Sequence, residues 1–185
     1  MKAMLKWNLG FFVIGMLALA GSLAQAQTTA NGPYYATPSW DQQLPASTRF
    51  IVLLNWGSAA VLDRETGLVW ERSPSTNTFT WNDALASFHC NNLAVGNRKG
   101  WKLPTIQELA SLVDGDPANT SSPRLPPGHP FQTVQSSFYW SATTFASDAA
   151  SAWGEFFSVG LVGVVDKFRP LFVWCVRGGP GVDPQ

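Results

Sequence analysis

The chain has 185 residues, twelve Lys and Arg against twelve Asp and Glu, and nine Trp. With no basic excess it lacks the dense positive face that nucleic acid demands, and strong binding to polyanionic sugars is not suggested by charge either. The aromatic load is that of a small sheet domain whose core is filled largely by rings.

The chain begins "MKAMLKWNLGFFVIGMLALAGSLAQAQ", with Lys2 and Lys6 at a positive end, an apolar run from Leu9 to Ala20 and a small-x-small site at Ala24-Gln25-Ala26. This pattern predicts a signal peptide over 1–26, the alternative being an uncleaved anchor. The apolar run is about a dozen residues, too short to span a bilayer comfortably, so no membrane span is expected after cleavage. Cleavage leaves 159 residues, one domain's worth, with ten basic and twelve acidic side chains. The expected location is the periplasm or the cell exterior. Residues 27–48 mix Pro, Gly, Ser and Thr without periodicity and read as a linker or loosely ordered lead-in.

From residue 49 the pattern tightens. "RFIVLLN", "AAVLD" and "GLVWER" predict strands, with a turn at Asp63-Arg64-Glu65-Thr66-Gly67, and 73–79 a loop. "TWNDALASFHCNNL" predicts a first helix capped by Thr80 with Asp83 three residues on, and an apolar face of Trp81, Ala84, Leu85 and Phe88 ahead of Gly96. In "NRKGWKLPTIQELASLVD", Pro104 fixes the approach, Thr105 and Glu108 form a capping box, and Ile106, Leu109, Leu112 and Val113 share one face of a second helix. Residues 115–137 form a long Pro/Ser/Gly-rich loop of the kind that is functional or mobile. "FYWSATT", "AWGEFFSV", "GLVGVVDKF" and "LFVWCVRGG" predict the remaining strands, with Gly160 at a hairpin and 180–185 a tail. Helices and strands are segregated, which predicts α+β.

Cys90 and Cys175 are the two cysteines. Export would place them where thiols oxidise, predicting a disulfide, with two free buried thiols as the alternative.

"VLDRETGLVWER", "TWNDALASFHCNNL", "GWKLPTIQELASLVD", "YWSATT" and "VWCVRGG", in this order, resemble the Lcl C-terminal domain family over residues 49–179, nearly the whole mature chain. That family, formerly a domain of unknown function, is similar to C-type-lectin-like domains and to the formylglycine-generating sulfatase-modifying enzymes. The resemblance implies two helices packed on a mostly antiparallel sheet with a long loop region, Trp101 in the core between helix and sheet, chain ends close together, and a bridge from the first helix to the last strand, here Cys90 to Cys175. A scaffold of this kind does not disclose its ligand.

Calcium needs six to eight oxygen ligands. Trp81-Asn82-Asp83 is suggestive, but Asp83 is better used as a capping partner, and Asp114 and Asp116 read as turn residues, so neither calcium nor another metal or cofactor is supported. The sulfatase-modifying oxidation depends on a reactive cysteine pair and copper, which a structural bridge would deny. His89 and Cys90, adjacent on a helix, would point apart, and Glu108 and Glu155 have no acid/base partner in the sequence. No catalytic residue is therefore expected, and a formylglycine-generating relative or a structural envelope protein are the rival readings.

The expectation is an exported, non-enzymatic, adhesin-like domain whose partner is a glycan or a protein, its oligomeric state undetermined. The expected contacts lie on the long loop and closing hairpins: Arg124, His129, Tyr139, Trp153, Lys167 and Arg169. Characterised Lcl-type relatives resemble adhesins for sulfated glycosaminoglycans, so Arg98, Lys99, Lys102 and Arg177 form a candidate basic patch together with Lys167 and Arg169. No Gly-X-Y repeat precedes the domain as in a collagen-like adhesin.

Overall fold

The computed structural model describes residues 44–85 and 89–178. The predicted signal peptide, most of the lead-in, the tail and Phe88 lie outside the described residues. Helix α1 (Ala46–Arg49) leads into β1 (Phe50–Val52), followed by a 3-10 turn at Leu54–Trp56, β2 (Ala60–Asp63), β3 (Val69–Glu71) and β4 (Thr78–Phe79). Then come α2 (Trp81–Leu85), α3 (Ile106–Ala110), β5 (Phe138–Thr144), β6 (Ser151–Phe156), β7 (Leu161–Asp166), β8 (Leu171–Phe172) and β9 (Val176–Arg177). The class is α+β. One sheet has the order β1-β2-β3-β9 and the other β4-β8-β5-β6-β7, with all pairs antiparallel except β5 with β8.

Several predicted boundaries change for local reasons. The end of the lead-in belongs to the domain, because Ala46 is buried in the core and the Leu44 N–H donates to Glu65 Oε1. "RFIVLLN" is not one strand. Arg49 closes α1, and the chain turns after Leu53 through Gly57 and Ser58, both at positive φ, to return as β2. The loop at 73–79 ends in the short β4. The first helix is shorter than 80–93, since residues 89–92 form turns and the Leu93 N–H donates to the Cys90 carbonyl. The second helix has the full capping box, Thr105 Oγ1 accepting from the Glu108 N–H and Glu108 Oε2 accepting from the Thr105 N–H. It tightens after Ala110 through bonds from Leu112 to Leu109 and from Val113 to Ala110.

"LFVWCVRGG" departs most from its reading as a strand. Residues 171–172 pair in the five-stranded sheet and 176–177 in the four-stranded one, so the segment passes from one sheet to the other. Val173, Trp174 and Cys175 are all fully buried, a run that one-sided alternation does not produce. Glu71 supports this crossing: its carbonyl accepts the Trp174 indole N–H and its carboxylate accepts the Cys175 N–H.

Two apolar clusters fill the interior. One joins Trp70, Trp174, Tyr139 and Phe157 to Leu109 and Leu112 of the α3 segment. The other gathers Trp81, Trp101 and Trp140 around Cys90 and Cys175, which form the predicted disulfide. The indole N–H groups of Trp81, Trp101, Trp140 and Trp174 each donate to a backbone carbonyl, so these large rings are buried without stranding a donor. A buried guanidinium ties α1 to the rest. Arg49 donates from Nε and a terminal nitrogen to the two oxygens of Asp63 at 3.0 and 2.7 Å, and also to the Ser111 carbonyl at 2.7 Å.

Candidate functional site

The predicted basic patch forms in part, around a residue the sequence did not single out. The 3-10 turn places Trp56 half-buried beside the loop at 95–100. That loop reverses through Gly96 and Asn97, both at positive φ, and brings Val95 and Arg98 into a bridge. Gly96 is required because Trp56 packs directly upon it: a Cβ there would lie 2.5 Å from Trp56 Cβ. β9 runs alongside, pairing at Val176 with Lys102.

The result is a pair of guanidiniums held over one indole. Arg98 Cζ lies 5.5 Å and Arg177 Cζ 5.8 Å from the Trp56 ring centroid. Arg177 Nε donates to the Lys99 carbonyl at 2.8 Å, which fixes its fork against the loop. Trp56 is itself braced edge-on by Trp101 at 6.5 Å. Arg98 and Lys99 are exposed, Arg177 is half-buried, and among the described residues none of the three is in an ion pair. Lys102 drops out of the patch, because its ammonium is held by both oxygens of Glu108 at 2.7 and 2.9 Å. Guanidiniums ordered by stacking and left without carboxylate partners suit a planar anion, which a forked donor grips through two bonds.

The family model described as the Lcl C-terminal domain matches residues 59–177, a stretch that holds Arg98, Lys99 and Arg177 and begins just after Trp56. The chain belongs to the Lcl C-terminal domain family. No curated protein matches it.

In this Lcl C-terminal domain the other predicted contact residues are engaged separately. Tyr139 does not lie on the surface as expected: it is fully buried in the first cluster and its hydroxyl accepts the Gln135 N–H. Burial pushes its phenol up to about 12. Lys167 is committed internally, donating to Thr144 Oγ1 and the Ala149 carbonyl with its ammonium 3.9 Å from the Trp81 ring centroid. Arg169 is exposed in the turn after β7. Arg124 donates to the Asp116 carbonyl, and His129 stacks on Phe131 while its Nδ1 accepts the Phe131 N–H. Burial lowers the His129 pKa. Trp153 is half-buried and lines a groove between α3 and the β6–β7 hairpin.

The carboxylates weighed for calcium serve their own turns. Asp83 accepts from the Thr80 hydroxyl, Asp114 from the Asp116 N–H and the Asn119 amide, and Asp116 from the Ala118 N–H. Glu71, His89 and Cys175 place ligand atoms within 4.8 Å of one another. Since the Cys175 sulfur is bonded to Cys90, a soft metal there would find only a carboxylate and an imidazole, fewer than the three or four protein ligands zinc uses. Burial raises the Glu71 pKa to about 7 despite the Cys175 N–H, and lowers that of His89.

Proposed function

We propose that this chain is an exported, non-enzymatic binding domain of C-type-lectin-like architecture, which recognises a sulfated or otherwise acidic glycan at the cell envelope or surface. The single observation that carries the reading is the pair of guanidiniums, Arg98 and Arg177, stacked on Trp56 beside Lys99 without acidic partners. Stacking orders both side chains before a ligand arrives, so less rotamer entropy is lost per hydrogen bond on binding. Because the chain as a whole carries no net positive charge, attraction to a polyanion must be local. Three cations predict a shallow salt dependence.

The non-enzymatic part is supported by the disulfide, which consumes both cysteines that a formylglycine-generating mechanism would use. The test is binding of the mature protein to a heparin-like chain and to its desulfated form across a salt series. The sulfated chain should bind in preference, and Arg98→Ala with Arg177→Ala should weaken it by roughly tenfold or more, the worth of one lost charge-assisted contact. Equal binding of both chains, or indifference to the double substitution, refutes the reading.

A further inference from the structure

The exposed apolar surface of this domain is concentrated at one sheet edge. Five of the eight large apolar side chains exposed among the described residues, Val159, Leu161, Val162, Val164 and Phe168, lie on β7 or within two residues of it. β7 is also the last strand of its sheet: it pairs with β6 along its whole length and, among the described residues, with nothing on its other side. Alternate residues of Leu161–Asp166 therefore turn their N–H and C=O groups outward as a free ladder. Such edges are ordinarily blunted by a Lys, a Pro or a bulge. β7 has neither Lys nor Pro, its register against β6 is unbroken, and its one charge, Asp166, stands at its end.

A free ladder selects a strand, because extended backbone supplies donors and acceptors at the matching spacing. The residues of β7 then narrow which strand. Two copies of one edge related by a two-fold axis pair antiparallel, and each sheet face continues across the seam, so paired residues must lie on the same face. Few registers satisfy this. An axis at Val164 would set Val162 against Asp166 of the second copy and Leu161 against its Lys167, apolar against charged. An axis at Gly163 sets Val162 against Val164 of the second copy and Leu161 against its Val165, with Asp166 opposite Gly160. In that register apolar side chains meet apolar ones, no like charges are opposed, and the strands cross at two glycines. Trp153, across from Val164 on β6, extends the same apolar face behind the seam. The ladder ends at Asp166 for a local reason, since the Lys167 carbonyl already accepts the Trp81 N–H.

We propose that β7 is a self-association edge, through which two copies of this chain pair antiparallel about Gly163 and join their five-stranded sheets into one. The contact is one strand wide on each side, so the dimer belongs to the weak, reversible class, with a dissociation constant on the order of 0.1 mM.

The test is sedimentation of the mature, disulfide-bonded protein from about 10 μM to about 1 mM, a range that brackets a weak dimer. The mass should rise from that of one chain toward that of two. Val162→Lys and Val164→Lys, each at an exposed position, should weaken association at least about tenfold while leaving the melting temperature at the lowest concentration unchanged. Leu54→Lys, equally exposed but in the turn after β1, should leave association unchanged. In an equal mixture of isotope-labelled and unlabelled protein, the Val162 methyls of one copy should show NMR contacts to the Val164 methyls of the other. A mass that stays at one chain throughout assigns the edge to some other partner and overturns the proposal. So does association that ignores both β7 substitutions, or a dimer without the Val162–Val164 contact between copies.

Discussion

Substituting Glu71 isolates the cost of an acid buried beside the disulfide. Its carboxylate accepts one N–H, from Cys175, and burial holds its pKa at about 7 against an ordinary 4.5. Because the folded value is the higher one, the folded state binds the extra proton between these limits. The contribution to stability is therefore complete below pH 4.5 and is lost as pH rises through 7. A difference of that size corresponds to about 3 kcal/mol. Glu71→Gln keeps an oxygen for the Cys175 N–H and cannot ionise, so it should match wild type near pH 4.5 and exceed it by about 3 kcal/mol near pH 8. Urea unfolding of both proteins across this range measures the difference. Taking the difference also cancels His129, whose lowered pKa acts in the opposite direction, with stability lost as pH falls below 6.5. An offset between the two proteins that stays the same at every pH would refute the reasoning.

Other expectations follow from single contacts. Replacing Cys90 and Cys175 by Ala releases a loop of sequence separation 85 and should cost roughly 4–5 kcal/mol in the chain-entropy account, read by denaturation with and without reductant. Arg49→Ala leaves Asp63 buried and unpaired, and should cost about 3–5 kcal/mol by the same measurement, whereas an exposed Arg64→Ala should be near neutral. Gly96→Ala meets both a positive φ and the Trp56 side chain; it should lower the melting temperature and also weaken heparin binding, because it displaces the ring beneath Arg98. Lys102→Ala should leave that binding unchanged, since its ammonium is already held by Glu108.

Local chemistry made much of this domain legible in advance. The capping box of Thr105 and Glu108 depends on residues three apart, so sequence alone specified it and the structure repeats it. The turn at Gly160 depends on one residue's φ and was equally readable. The disulfide was inferred from a count and an expected compartment, and the α+β class from the order of patterned segments. Long-range placement was another matter. The closing segment reads as one strand because Leu, Phe, Val and Trp all favour extended backbone, yet two sheets divide it, and only the partners available to Val173, Trp174 and Cys175 decide that.

The same division holds for the sites. Arg98, Lys99 and Arg177 were named from the sequence as basic residues, but Trp56, which orders the two guanidiniums, stands more than forty positions before Arg98 and carries no motif. Tyr139 and Trp153 looked alike as candidates; the register of β5 and the packing of α3 sent one into the core and left the other beside a groove. Glu71 and Glu155 carried a faint signal, each an acid inside an apolar strand word, "VWER" and "WGEFF". Whether such an acid is solvated or buried without a partner depends on which face of the strand is covered. Composition and spacing determine what each segment can form locally, whereas burial and pairing are properties of the assembled layers, and those came only with the tertiary structure.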